Sequence, residues 1–168
     1  MRRALPLLAA GLALVLATGC AQTLGQVRRA LREPGEQLVA LPDDVSEEYE
    51  CAARNLPFFS LERHELNPLR LHAGDEFNHR MVYALCPARP TEVVRGSLTT
   101  RIRFKGRVIA RERLEPFELK PGRWIVDAFV RLPEDAEAGI YALEVVFEGG
   151  SVRVDERITF GVEPSAEG

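Results

Sequence analysis

The chain predicts an all-β fold, an antiparallel sandwich of about seven short strands, on three observations. Apolar residues recur at every second position in several short runs, glycine and proline pairs punctuate those runs, and no helical period persists beyond about residue 60. A length of 168 residues suits one domain with additional segments. Hydrophobic residues at 46% and charged residues at 28% are ordinary globular values, so a core of normal size can form.

The strands follow in order. Leu69 and Leu71 precede an Ala73-Gly74-Asp75 turn into a strand from Asn78 to Cys86, on which Met81, Tyr83 and Leu85 face the core and Cys86 faces outward. Leu98, Thr100, Ile102 and Phe104 alternate with Thr99, Arg101 and Arg103, the period of a half-buried strand. Lys105-Gly106 turns the chain so that Val108 to Leu114 returns as a hairpin partner. After Pro121-Gly122, the residues Trp124, Val126, Ala128, Val130 and Leu132 share one core face, leaving Ile125 and Phe129 outside and in need of cover. Tyr141, Leu143, Val145 and Phe147 repeat the pattern, Gly149-Gly150 turns, and Val152, Val154, Ile158, Phe160 and Val162 complete it. The sandwich therefore spans residues 61–163, with a tail at 164–168.

The stretch from Leu132-Pro133 to Ala138-Gly139-Ile140-Tyr141-Ala142-Leu143 resembles the approach to the penultimate strand of immunoglobulin-like and fibronectin type III domains. That resemblance implies an immunoglobulin-like sandwich and makes Tyr141 a tyrosine corner, its hydroxyl bonded to backbone upstream. The antibody order of Cys, Trp and Cys is not reproduced, because Trp124 follows both Cys51 and Cys86.

The start of the chain has a different logic. Arg2 and Arg3 precede an apolar stretch from Ala4 to Ala17, fourteen residues that are too few for a bilayer core needing ~20 but right for an export signal at residues 1–19. Leu16-Ala17-Thr18-Gly19-Cys20 is similar to the lipobox of bacterial lipoproteins, with Ala17 where Leu is commonest. That resemblance implies cleavage before Cys20 and lipidation of its thiol with diacylglyceryl and N-acyl chains, enough for stable attachment. Ala17-Thr18-Gly19 also satisfies ordinary small-x-small cleavage, which leaves a secreted soluble periplasmic protein as the alternative. Ala21, in place of the Asp that retains many lipoproteins at the inner membrane, favours an outer-membrane, periplasm-facing location over the inner membrane. Parity agrees with lipidation: with Cys20 acylated, Cys51 and Cys86 remain as a pair for one disulfide.

Residues 20–60 then form a lipidated N-terminus, linker and short helices. Leu24, Val27 and Leu31 share one side of a helix ended by Pro34-Gly35. Asp44 and Glu47 have capping-box spacing, which predicts a helix from Val45 to about Ala53. Leu56, Pro57, Phe58 and Phe59 are too apolar for water, so residues 50–60 are expected to lie across the sandwich, clamped by Cys51 to Cys86.

Composition and spacing argue against several chemistries. A net charge of -3, falling to -5 once Arg2 and Arg3 are cleaved away, offers no concentrated basic surface for nucleic acid. Ser46, Ser60, Ser97, Ser151 and Ser165 lie in no G-x-S-x-G context, Cys51 and Cys86 form no C-x-x-C, and Gly149-Gly150 suits a hairpin better than a phosphate loop. Glu134, Asp135 and Glu137 read as a solvated turn. No catalytic residue, cofactor or metal site is therefore expected. The leading reading is a non-enzymatic envelope lipoprotein, a binding or scaffolding module whose partner is another envelope protein or a polymer, with the membrane engaged through the N-terminal lipid. The alternative is an enzyme or metal-binding protein with a site on the sandwich loops built from His64, His72 and His79, of which His72 and His79 flank the Gly74-Asp75 turn.

Overall fold

A computed structural model describes residue 32 and residues 34–164. The signal segment, Cys20 and the predicted helix around Leu24 to Leu31 lie outside the described residues. The elements in chain order are β1 (Gly35–Ala40), α1 (Pro42–Glu48), a 3-10 turn (Cys51–Ala53), β2 (Phe58–Asn67), β3 (Arg70–Leu71), β4 (Glu76–Cys86), β5 (Val94–Phe104), β6 (Arg107–Leu119), β7 (Gly122–Arg131), β8 (Gly139–Gly149) and β9 (Val152–Val162).

Two sheets face each other, one ordered β1-β7-β4-β2 and the other β3-β9-β8-β5-β6. All pairs are antiparallel except β3 with β9, where Gly161 N donates to Leu69 O at 2.9 Å and Glu163 N to Leu71 O at 2.7 Å. With β2, β4 and β7 as strands A, B and E, and β5, β8 and β9 as C, F and G, the sheets reproduce the immunoglobulin-like division, and β1 takes the place of D beside E. Nine strands among the described residues replace the seven expected. The seven read from the sequence are β3 to β9. β1 was not expected because an exposed edge strand, Gly-Glu-Gln-Leu-Val-Ala, carries no alternation. In β2 a bulge between Leu61 and Arg63 interrupts the period, so its apolar residues fall out of step.

Between the sheets lies one core, in which Phe77, Tyr83, Leu85, Ile102, Tyr141, Leu143, Val145, Phe147 and Phe160 are buried. Met81, Tyr83 and Leu85 face it, as alternation required, and Trp124, Val126 and Val130 line it from β7. The β5–β6 turn uses Lys105 and Gly106 at φ of 48° and 78°, the left-handed pair of a two-residue hairpin. At the far end of β5 the backbones of Gly96 and Gly149 approach so closely that a Cβ on Gly96 would stand 2.2 Å from Glu148 O.

The helix and its cover differ from the sequence reading. The helix starts three residues earlier, at Pro42, with Asp44 accepting the Leu41 N–H at 3.3 Å, and ends at Glu48 before a 3-10 turn. Pro42 fits the first helical position because its missing N–H would have no partner there. Residues 50–60 do not lie across the sandwich as one strip. Phe58 and Phe59 begin β2, opposite Cys86 and Leu85, so alternation sends Phe59 into the core, where it stacks on Tyr83 at 5.7 Å, and leaves Phe58 outside against Tyr49 at 5.5 Å. Leu56 stays 40% exposed. The outer face of β4 and β7 is covered instead by α1, whose Val45 is fully buried with Cys51, Ala84 and Cys86 in a small second core. The disulfide joins Cys51 to Cys86 across 35 residues of chain. Closing such a loop contributes about 4 kcal/mol by chain entropy.

Candidate functional site

Three places on this scaffold gather polar chemistry, and two belong to the four-stranded sheet. On its outer face Asn78 and Arg80 of β4 meet Asp127 of β7, directly opposite Arg80 in register. The Asp127 carboxylate accepts from Arg80 at 2.6 Å and 2.9 Å and from Asn78 Nδ2 at 2.9 Å. Asn78 Oδ1 accepts from Arg32 at 2.6 Å, and Arg32 reaches on to Glu65 of β2 at 2.7 Å. Burial pushes the Asp127 carboxyl upward, but the bonds from Arg80 and Asn78 outweigh it and hold the group below the usual carboxylate range. Beside this network a polar cleft of about 390 Å³ opens between Pro34 to Gln37 and the Arg80–Asp127 pair. Every charge in the network has an opposite partner, so the arrangement fastens the N-terminal arm to the sheet. Arg123 fastens α1 in the same way, reaching Glu62 and Glu48 at 2.7 Å each, while Tyr49 donates to Glu62 at 2.8 Å.

The second place lies on the inner face of the same sheet. His64 of β2 and His79 of β4 meet edge to face with ring centroids 4.9 Å apart. His79 is only 3% exposed, and Nε2 of each ring is buried without a hydrogen-bond partner. Burial, with the His64 charge adding to it and Asp127 opposing, pushes His79 down to about 3. Burial also lowers His64, against the field of Glu156. Both imidazoles are therefore neutral at pH 7, each with one donor and one acceptor nitrogen.

The third is a cleft of about 420 Å³ beside the β5–β6 turn, lined in part by Phe104, Val108, Ile109 and Tyr141. Tyr141 is 1% exposed and its hydroxyl donates to Glu137 O, four residues upstream, at 2.7 Å. Its ring stacks on Phe104 at 4.3 Å.

Of the three histidines in the alternative metal reading, the fold joins His64 to His79 and leaves His72 apart. His72 is exposed near the β3 edge, its ring 3.5 Å from Asp75 and 3.9 Å from Glu163. Among the described residues no three His, Cys, Asp or Glu side chains gather in metal-binding geometry. The Arg32–Asn78–Asp127 network was not singled out from sequence. Its signal was there, as Asn78, Arg80 and Asp127 interrupt otherwise apolar strands.

No protein-family model matches the chain, and no curated protein matches it. Among solved structures it is similar to part of the alkylpurine DNA glycosylase AlkC of Pseudomonas fluorescens, bound to DNA containing an abasic site analog (TM-score 0.45, 11% identity, 62% of this chain and 30% of that one). It is likewise similar to part of a β-glucosidase from Listeria innocua (TM-score 0.43, 14% identity, 65% and 16%) and of the sporulation control protein Spo0M of Bacillus subtilis (TM-score 0.38, 16% identity, 66% and 49%). The chain thus spans less than half the length of each.

Proposed function

We propose that the chain is a lipid-anchored envelope protein whose sandwich is a non-enzymatic binding or scaffolding module. The observation that carries this reading is the allocation of its cysteines. Cys51 and Cys86 are bonded to each other, which leaves Cys20, placed directly after an export-type apolar run, as the odd thiol of three. A disulfide in a chain of this size suits an oxidising compartment, and acylation would remove the remaining thiol from it. Support for a binding role comes from β6, whose thirteen residues bond to β5 alone among the described strands and present exposed Val108, Ile109 and Leu114. A long edge of this kind is available to a partner strand or polymer, and the charges Arg107, Arg111, Glu112 and Arg113 along it restrain self-pairing.

Mass spectrometry of the mature N-terminal peptide is expected to show Cys20 as the first residue carrying acyl chains. An unmodified Cys20 thiol overturns the anchor. A photocrosslinker in place of Arg111 should trap one envelope component reproducibly, and a probe in place of Arg157 on β9 should not. Equal capture by both refutes the assignment of the edge.

A further inference from the structure

The geometry points to a Cu(I) site on the inner face of the four-stranded sheet, formed by His64, His79 and the thioether of Met81. The site stands independently of the envelope reading, and begins from the two orphaned nitrogens. A buried imidazole nitrogen without a partner is costly, since its lone pair has left water for nothing in return. Here two such atoms belong to rings in contact, His64 and His79. An ion at the usual ~2 Å from an imidazole nitrogen would accept from both rings at once and satisfy both atoms.

The third donor follows from the register. His64 stands directly across from Met81, and His79 precedes Met81 by two residues on the same strand, so alternation puts all three on one face. Met81 is 6% exposed and belongs to the main core. Its side chain therefore lies among apolar groups, on the same face as the two imidazoles.

This donor set chooses the metal. Zinc sites built only by protein take four donors from Cys, His, Asp and Glu, and no group of even three such side chains gathers among the described residues. Two imidazoles and a thioether are soft donors and suit Cu(I), which is stable at low coordination number.

Access is by the margin where β2 comes against β9. His64 is half-buried there, and Glu156 of β9, the carboxylate whose field acts on His64, is exposed. Glu156 would draw a cation toward the opening and compensate its charge once bound. The second histidine and Met81 lie deeper, which excludes water from the ion.

The test uses the full, disulfide-intact chain carrying Cys20→Ala, so that no free thiol competes for copper. Under anaerobic conditions with ascorbate, Cu(I) is titrated in competition with bicinchoninate. One equivalent should be retained, and X-ray absorption of the loaded protein should show nitrogen with one sulfur around copper. Met81→Leu nearly conserves volume, so it should keep the thermal midpoint within a few degrees while weakening Cu(I) binding at least 10-fold. His64→Gln, at the half-buried position, should weaken it at least 100-fold. Failure of the parent chain to retain Cu(I), a copper shell without sulfur, or parental affinity in both variants overturns the proposal.

Discussion

Lowering the pH from 7.5 to 5.0 should remove about 2 kcal/mol of folding stability through His79 alone. The ring titrates near 6.5 in an unfolded chain but is pushed down to about 3 in the fold, where burial excludes its charged form. A depressed histidine favours the folded state fully only above the unfolded value. As pH falls below 6.5 the unfolded chain takes up a proton that the native state refuses, so stability declines through that window and goes on declining until about pH 3. At pH 5 the unfolded ring is almost wholly protonated and the native ring is not, which is about 1.5 pH units of linkage, or about 2 kcal/mol. Asp127 and Glu62, also lowered in the fold, begin to lose their contributions only near their ordinary values of 3.8 and 4.5, below this window. Urea unfolding followed by the single tryptophan, Trp124, measures the difference at constant m-value. His79→Leu should be nearly flat over the same pH range, retaining only the smaller slope due to His64. A parent chain that loses less than about 0.5 kcal/mol, or a Leu variant that loses as much as the parent, refutes the reasoning.

Three further outcomes follow from packing and hydrogen bonding. Gly96→Ala should cost about 3 kcal/mol, because the added Cβ would meet Glu148 O at 2.2 Å and Gly149 Cα at 2.6 Å, both backbone atoms that cannot turn aside. Calorimetry should show a thermal midpoint at least ~8 °C lower. Asp127→Ala should cost about 2 kcal/mol by chemical unfolding, since it strips the shared acceptor from Arg80 and Asn78, with Arg80, 19% exposed, recovering some hydration. Tyr141→Phe should cost about 1 kcal/mol, the loss of one hydroxyl bond to Glu137 O with the ring stacking on Phe104 intact. A change below about 0.3 kcal/mol would mean that the upstream bond does not stabilise the turn.

Among the strands that the sequence made legible, β5, β8 and β9 are read from one face that is less buried than the other. β5 alternates because Arg101 and Arg103 reach partly into solvent on its outer side, where Thr99 is itself covered, while Leu98, Ile102 and Phe104 are buried inside, and β8 and β9 alternate in the same sense. The elements that escaped were shaped by tertiary contacts invisible to periodicity. β1 is a strand because β7 offers it an edge, with Gly35 opposite Asp127 and Leu38 opposite Trp124, and not because its own residues alternate. β2 hides its period behind the bulge at Glu62, the residue that turns outward to accept from Arg123 and Tyr49. The polar groups divide similarly. Cys51 and Cys86 could be paired by counting. His64 and His79 could not, because their meeting depends on the β2–β4 register, and the short sequence distance between His72 and His79 pointed to the wrong pair.

Most of the unusual chemistry therefore falls on the sheet that the N-terminal segment completes and covers. The five-stranded sheet balances its outer charges locally, as in Arg103 with Glu144 at 2.7 Å and Arg153 with Glu148 at 2.7 Å. The four-stranded sheet instead uses Arg32, α1 and Cys51 to cover its outer face, through an ion network, a buried Val45 and a disulfide, and β1 to extend its edge. An N-terminal arm fastened at so many points cannot pay out chain freely. If Cys20 is the anchor proposed above, the residues between it and Arg32 span at most ~40 Å fully extended, so the sandwich operates within about its own length of the membrane. Cutting the Arg32 fastening, by Arg32→Ala with Glu65→Ala, would lengthen that reach by only ~10 Å, because β1 begins three residues further along and still fixes the arm to β7.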